Sequence, residues 1–168
     1  IHQQSDALWE EDIAQALSYR PSHLSSYCLT IEPKTAFGNW LQKGKLAAVN
    51  EEQANRQYMI LCERLAAAGF DHYEVSNFGL PAKYAQHNSN YWLQRPYLGI
   101  GPSAHSYNGH SRQYNISNNA AYLQQLAGCV IPATVEELSK ADRYNELVMV
   151  GLRTSWGCST HYIKQAFG

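Results

Sequence analysis

The sequence has no carboxylate between Glu74 and Glu136, no closely spaced cysteines, no run of basic residues and no long apolar stretch. Each absence removes a class of function. Cys28, Cys62, Cys129 and Cys158 stand far apart, with none of the CxxC-type spacings from which zinc and iron–sulfur sites are built. They read as reduced thiols, three of them inside apolar patterns. With 13 basic against 14 acidic residues the net charge is −1, and nothing forms an electrostatic footprint for nucleic acid or an anionic membrane. No segment offers the roughly 20 apolar residues that a membrane-spanning helix needs, and the amino end does not read as a signal peptide. The expectation is a soluble, cytoplasmic protein.

What is present is enough for a real core: 168 residues, 45% of them hydrophobic, the size of one domain or of one domain and a piece of another. The chain opens on Ile1 and stops at Gly168 partway into a predicted helix, so a fragment of a longer protein is expected. Ser5 or Asp6 can cap a helix whose apolar stripe runs Leu8, Trp9, Ile13, Ala16, Leu17 before Pro21 ends it. HLSSYCLTI, residues 23 to 31, is apolar enough on both faces for a buried parallel strand. A Gly- and Lys-containing loop then leads to Asn50 and Gln53, a capping-box-like pair opening a long helix closed by Gly69. FDHYEVSNF supplies a second strand, a loop carries HNSNYW, and PYLGIGPSAHSY supplies a third. Asn108-Gly109 predicts a hairpin joining SAHSY to HSRQYNI. Beyond Asn118 the pattern turns helical, with a short helix ended by Gly128 and another over Ser139 to Leu152. Alternating strands and helices imply an α/β unit with too few strands to close a barrel.

GIGPSA, residues 99 to 104, matches a dinucleotide fingerprint in form, but the acidic residue expected about 20 positions on is missing. A tight turn against a neighbouring strand or ligand explains its glycines better. The histidines show no metal-ligand spacing; His72 and His110 read as surface residues, while His105 follows a strand end inside a Gly/Ser turn. Glu32 and Glu74 sit near strand ends, where α/β folds place chemistry, although pairing with Lys34 or Arg112 is the more ordinary role. HNSNYW, residues 87 to 92, fits neither strand alternation nor helical spacing. Its aromatics can anchor a surface loop, and its histidine among aromatic rings also suits an axial ligand to a flat macrocycle.

Five segments, HLSSYCLTIEPKT, GFDHYEVSNF, HNSNYW, YLGIGPSAHSY and Arg112 to Asn115, and more loosely Leu152-Arg153, resemble the oxygen-independent coproporphyrinogen III oxidase-like radical SAM family, and within it the HemW-type haem chaperones. The resemblance covers nearly the whole chain in the family's order. It implies the carboxyl-terminal portion of a partial (β/α) radical SAM barrel over residues 1–117, followed by the start of a mostly helical domain over 118–168. It also implies S-adenosylmethionine and a [4Fe–4S] cluster in the intact parent. The family's CxxxCxxC motif is absent here, so this stretch is not expected to run radical chemistry alone.

By the same resemblance Tyr27, Thr30, Glu32 and His105 would face S-adenosylmethionine, and His87, Asn88, Tyr91 and Trp92 would meet haem, with His87 the ligand to its iron. Pro102 and Ser103 depart from the family's small residues, which puts the cofactor contact of that turn in question. The implied function is haem or porphyrin binding by a chaperone with a haem-receiving partner protein. The alternatives are an oxidase that decarboxylates the propionates of coproporphyrinogen, and a non-catalytic docking module. Glu74 and Asn77 are expected to bond loop backbone that would otherwise be buried unpaired. An uncovered sheet edge is expected to make the isolated chain self-associate.

Overall fold

The computed structural model describes residues 4–28 and 30–168. They form two compact units, one ending at Tyr84 and one running from Ala85 to Gly168. In chain order the first holds α1 (Asp6–Ser18), β1 (His23–Ser25), α2 (Ala36–Gln42), α3 (Glu51–Ala67), β2 (Asp71–Glu74) and β3 (Asn77–Gly79).

Helix α1 starts where Ser5 Oγ accepts from Leu8 N at 3.2 Å, and α3 where Asn50 Oδ1 accepts from Gln53 N at 3.0 Å. The capping box expected at Asn50 is only half made, because Gln53 Nε2 turns away to Gln4 O at 2.8 Å. At its other end α3 closes as its sequence predicts. Gly69 takes φ +83°, its N–H reaches Ala66 O at 3.0 Å, and Phe70 N reaches Leu65 O at 3.0 Å. This pairing of crossed hydrogen bonds puts Phe70 in the same buried cluster as Leu65, with Ile13, Leu61 and Phe78. Helix and sheet therefore share one core. Trp9 Nε1 donates to Gln57 O at 2.9 Å, and exposed pairs Arg56–Asp6 and Arg64–Glu10 run along the outside of the α1–α3 contact.

The sheet departs from expectation in three ways. Its order is β1-β3-β2 and both pairings are antiparallel, where a parallel arrangement was expected. FDHYEVSNF is not one strand but a hairpin that reverses at Val75-Ser76, which sets β3 between β1 and β2. Among the described residues of HLSSYCLTI, which leave out Leu29, His23–Ser25 are strand, and the segment read as a loop before Asn50 contains α2, capped by Thr35. The hairpin has a polar cause. Glu74 and Asn77 are 2% and 3% exposed, Glu74 accepts from Ser76 N and Asn77 Nδ2, and Asn77 Oδ1 accepts from Ser25 Oγ at 2.7 Å. These residues bond buried loop and strand groups, as their sequence context led us to expect.

The second unit holds α4 (Gln86–Trp92), β4 (His105–Tyr107), β5 (Ser111–Asn115), α5 (Asn119–Ala127), β6 (Ala133–Glu137), α6 (Lys140–Leu152) and α7 (Thr160–Phe167). The Asn108-Gly109 hairpin is present, with His105 opposite Tyr114 and Tyr107 opposite Arg112. Asn108 Oδ1 accepts from His110 N and Ser111 N, and Gly109 supplies φ +98°. The third predicted strand shrinks to His105–Tyr107 plus a single bridge from Tyr97 to Tyr107. β6 was not anticipated in the helical region; it pairs antiparallel with β5 and so joins residues on both sides of position 117/118. Ser139 and Asp142 form a complete capping box on α6, and Arg112 meets Glu146 of α6 at 2.8 Å. Burial alone would lower the Arg112 pKa, but Glu146, helped by Tyr97 and Glu136, makes the net shift upward. Among the described residues no helix is long and apolar enough to cross a membrane. Cys28 and Cys129 are exposed, while Cys62 and Cys158 are half-buried.

Two stability predictions follow from the first unit's buried polar groups. Asn77→Ala removes one donor from the Glu74 carboxylate and strands the Ser25 hydroxyl, so it should cost about 1–3 kcal/mol in urea unfolding, with unchanged secondary structure by circular dichroism. His23 Nε2 lies 2.7 Å from Tyr73 Oη, and burial lowers its pKa below the ordinary 6.5. The unfolded chain then binds the proton more readily than the folded one. The stability due to neutral His23 is full above pH 6.5 and is lost as pH falls through the lowered folded value. His23→Gln should flatten that part of the acid slope when unfolding is followed against pH.

Candidate functional site

HNSNYW lies in a helix and not in the loop expected for it. The seven-residue α4 has Ala85 at its amino-terminal cap, with no side-chain hydrogen bond there. Its carboxyl end is closed by the same crossed bonding seen in α3, Arg95 N to Asn90 O at 2.9 Å and Gln94 N to Tyr91 O at 3.0 Å. Gln94, at φ +50°, occupies the left-handed position that Gly69 fills in α3.

The helix divides the motif. His87 is exposed and Tyr91, one turn on, is 40% exposed, with their rings edge to face at 4.9 Å between centroids. Tyr97 continues this aromatic row at 4.6 Å from Tyr91, and its backbone exchanges two 2.9 Å hydrogen bonds with Tyr107. Asn88 and Trp92 have their polar atoms turned inward. Asn88 Nδ2, Ser89 Oγ and Trp92 Nε1 are covered from solvent and have no hydrogen-bond partner among the described residues. Arg153 holds Trp92 from the far end of α6, its Cζ 5.3 Å from the ring centroid. His87 and Tyr91 are therefore the exposed half of the motif, and Asn88 and Trp92 the half turned inward.

The glycines of GIGPSA serve a tight approach. A Cβ on Gly99 would stand 2.0 Å from His105 O, and Gly101 takes φ +105°. Asn115, 8% exposed, donates Nδ2 to Gly101 O at 2.9 Å, and Ser103 sits at φ +60°. Strand β4 follows the turn where a dinucleotide fingerprint requires a helix, so that reading fails on structure as well as on charge. Of the residues expected at S-adenosylmethionine, Tyr27, Thr30 and Glu32 are exposed on the segment after β1, and His105 is exposed at the start of β4. The first three belong to one compact unit and His105 to the other. Among the described residues no three His, Cys, Asp or Glu side chains are grouped to hold a metal ion.

No family model matches the chain. It is 38% identical over 162 residues to "Heme chaperone HemW" of Synechocystis sp., covering 94% of this chain and 39% of that protein. The HemW of Bacillus subtilis is 34% identical over 95% of this chain and 42% of its own length. The mouse "Radical S-adenosyl methionine domain-containing protein 1, mitochondrial" is 33% identical over 94% of this chain and 38% of that protein. The chain belongs to the HemW-type radical SAM family. It spans about two fifths of the length of these relatives. The fold agrees: the radical SAM coproporphyrinogen III oxidase HemN of Escherichia coli superposes at a TM-score of 0.78 over 98% of this chain and 41% of that one, at 16% identity.

Within this HemW-type chain, sequence reasoning found His87 and its neighbours but missed how they are held. Tyr97 and Arg153 fix α4 from 6 and 61 positions away from Tyr91 and Trp92, through ring contacts that no local period announces. Gln94→Gly should relieve the left-handed strain and stabilise the unit by about 0.5–1 kcal/mol, with slower hydrogen exchange at the amides of α4.

Proposed function

We propose that this chain is part of a haem-binding chaperone, in which His87 offers an imidazole to the haem iron and Tyr91 lies against the porphyrin. The observation that carries this reading is the split of α4, which leaves a histidine and its edge-on tyrosine exposed while Trp92 and Arg153 anchor the helix behind them. A neutral imidazole with a ring nitrogen open to its surroundings is what axial ligation needs. The surroundings suit an anionic porphyrin. Residues 75–135 contain no carboxylate to repel propionates, and exposed Arg95 stands three positions beyond Trp92. Asn88 and Trp92 contribute by seating the helix, not by meeting the ring. The names of the chaperone relatives support the same assignment.

In the parent, residues 1–117 would complete the carboxyl-terminal part of the radical SAM barrel, and 118–168 would begin the appended domain. Tyr27, Thr30, Glu32 and His105 would turn toward S-adenosylmethionine there. The cysteines of this chain do not fit a [4Fe–4S] cluster, since they lie far apart in the sequence and no three His, Cys, Asp or Glu side chains are grouped among the described residues. Its ligands would have to come from another part of the parent. A protein that receives the haem is the implied partner. The oxidase alternative rests on likeness of fold to HemN and has no residue-level support here.

Haem titration into the full-length protein tests this. His87→Ala should shift the Soret band and weaken binding about tenfold or more, because the iron loses an axial nitrogen. Trp92→Ala should leave the Soret position unchanged and instead lower stability by about 1–3 kcal/mol, read by thermal unfolding of the haem-free protein. An unaltered spectrum and affinity in His87→Ala would remove His87 as the ligand and return the motif to the role of aromatic anchor.

A further inference from the structure

The turn between β4 and β5 surrounds one carboxamide, that of Asn108, with hydrogen-bond partners on both of its polar atoms. Oδ1 accepts from His110 N at 2.9 Å and from Ser111 N at 2.7 Å, and Nδ2 donates to Ser111 Oγ at 2.9 Å. Gly109 follows at φ +98°, and a Cβ placed on it would meet nothing within 4 Å. Among the described residues no hydrogen bond engages the Gly109 N–H. Asn108 itself is exposed, so water reaches the turn.

These groups are arranged for a reaction of the chain on itself. Attack of Gly109 N on Asn108 Cγ closes a five-membered ring, and a glycine nitrogen is the least hindered one to make it. As Cγ becomes tetrahedral, Oδ1 gathers negative charge. The two N–H groups that already face it bind that charge more strongly than the neutral carbonyl of the resting turn. Nδ2 changes at the same step from an amide into an amine with a lone pair. The contact with Ser111 Oγ can then reverse, the hydroxyl donating, and the Cγ–Nδ2 bond breaks with release of ammonia. Water takes the Gly109 amide proton and returns one to the serine. A second water opens the cyclic imide at one of its two carbonyls. The net change is one water consumed, one ammonia released and one carboxylate gained.

We propose that Asn108 is a self-modification site, at which the native turn speeds conversion of the carboxamide to a carboxylate. The new charge is the only carboxylate in residues 75–135, and it enters the hairpin whose Tyr107 pairs with Arg112 and holds the backbone of Tyr97. An aspartate keeps both N–H bonds and strengthens them. An isoaspartate adds a methylene to the main chain and disturbs the β4–β5 register. Neither outcome depends on haem at α4.

A turn that merely restrained the carboxamide would slow the reaction, so the folded and unfolded rates separate the two roles. Peptide mapping by mass spectrometry follows the full-length protein held warm at mildly alkaline pH. Asn108 should convert faster in the folded protein than in guanidinium chloride, by about threefold or more. Ser111→Ala removes the proton donor to the leaving nitrogen and should slow the folded-state reaction about tenfold, and Ser111→Thr should restore it. In water enriched in heavy oxygen the label should enter the new carboxylate or its neighbouring carbonyl. The proposal is overturned if folded Asn108 converts no faster than unfolded, or if Ser111→Ala, folded by circular dichroism, reacts as fast as wild type. Should Ser111→Ala fail to fold, the wild-type ratio decides alone.

Discussion

A carboxylate removed from water must be met by donors, and the first unit is organised around that requirement at Glu74. The side chain ends β2, is 2% exposed, and draws Ser76 N and Asn77 Nδ2 toward itself. The pull shifts the register between His72 and Glu74 and folds a run that alternates well enough for one strand into a hairpin. Asn77 then has its oxygen turned toward Ser25, which brings β1 against β3. Phe78, one residue on, is carried into the core beside Leu65 and Phe70, with His72 stacked on its ring at 4.4 Å. One buried ionic group therefore decides strand direction, strand order and the position of a core aromatic.

Much of this architecture was legible wherever a local rule has a single physical solution. Ser5, Asn50 and Ser139 each hold a free N–H of a helix start, Gly69 ends α3 in the only conformation that closes it cheaply, and Asn108-Gly109 makes its hairpin. What failed were inferences that depend on a partner distant in the chain. An apolar run such as HLSSYCLTI states that a strand is buried but not which neighbour it meets or in which direction. β6 was hidden because ATVEE shows no apolar alternation: four of its five residues are exposed, and it forms because β5 offers an edge.

HNSNYW was unreadable as a helix for a related reason. Its residues are indifferent helix formers, it is seven residues long, and isolated helices of that length do not persist in water. Packing supplies what propensity withholds. Arg153 lies over Trp92, Tyr97 lies against Tyr91, and a residue other than glycine accepts a left-handed backbone at Gln94 to close the end. Three buried polar atoms, on Asn88, Ser89 and Trp92, lack partners among the described residues, each a cost of about 1–3 kcal/mol unless water meets it. A helix built so far from its local optimum nonetheless displays His87 beside Tyr91 at the surface.

The α4 surface and a cavity of the first unit differ most in charge. A haem brings propionate groups that must stay hydrated or meet cations. The cavity of the first unit has no charged side chain among the described residues that line it, so a propionate there would lose its hydration with no countercharge. Around α4 the setting differs: the chain has no carboxylate from Val75 to Val135, and Arg95 is exposed close to the motif. Preference of an anionic ring for the α4 surface thus follows from the distribution of a few charged residues, by the same desolvation cost that orders the Glu74 hairpin.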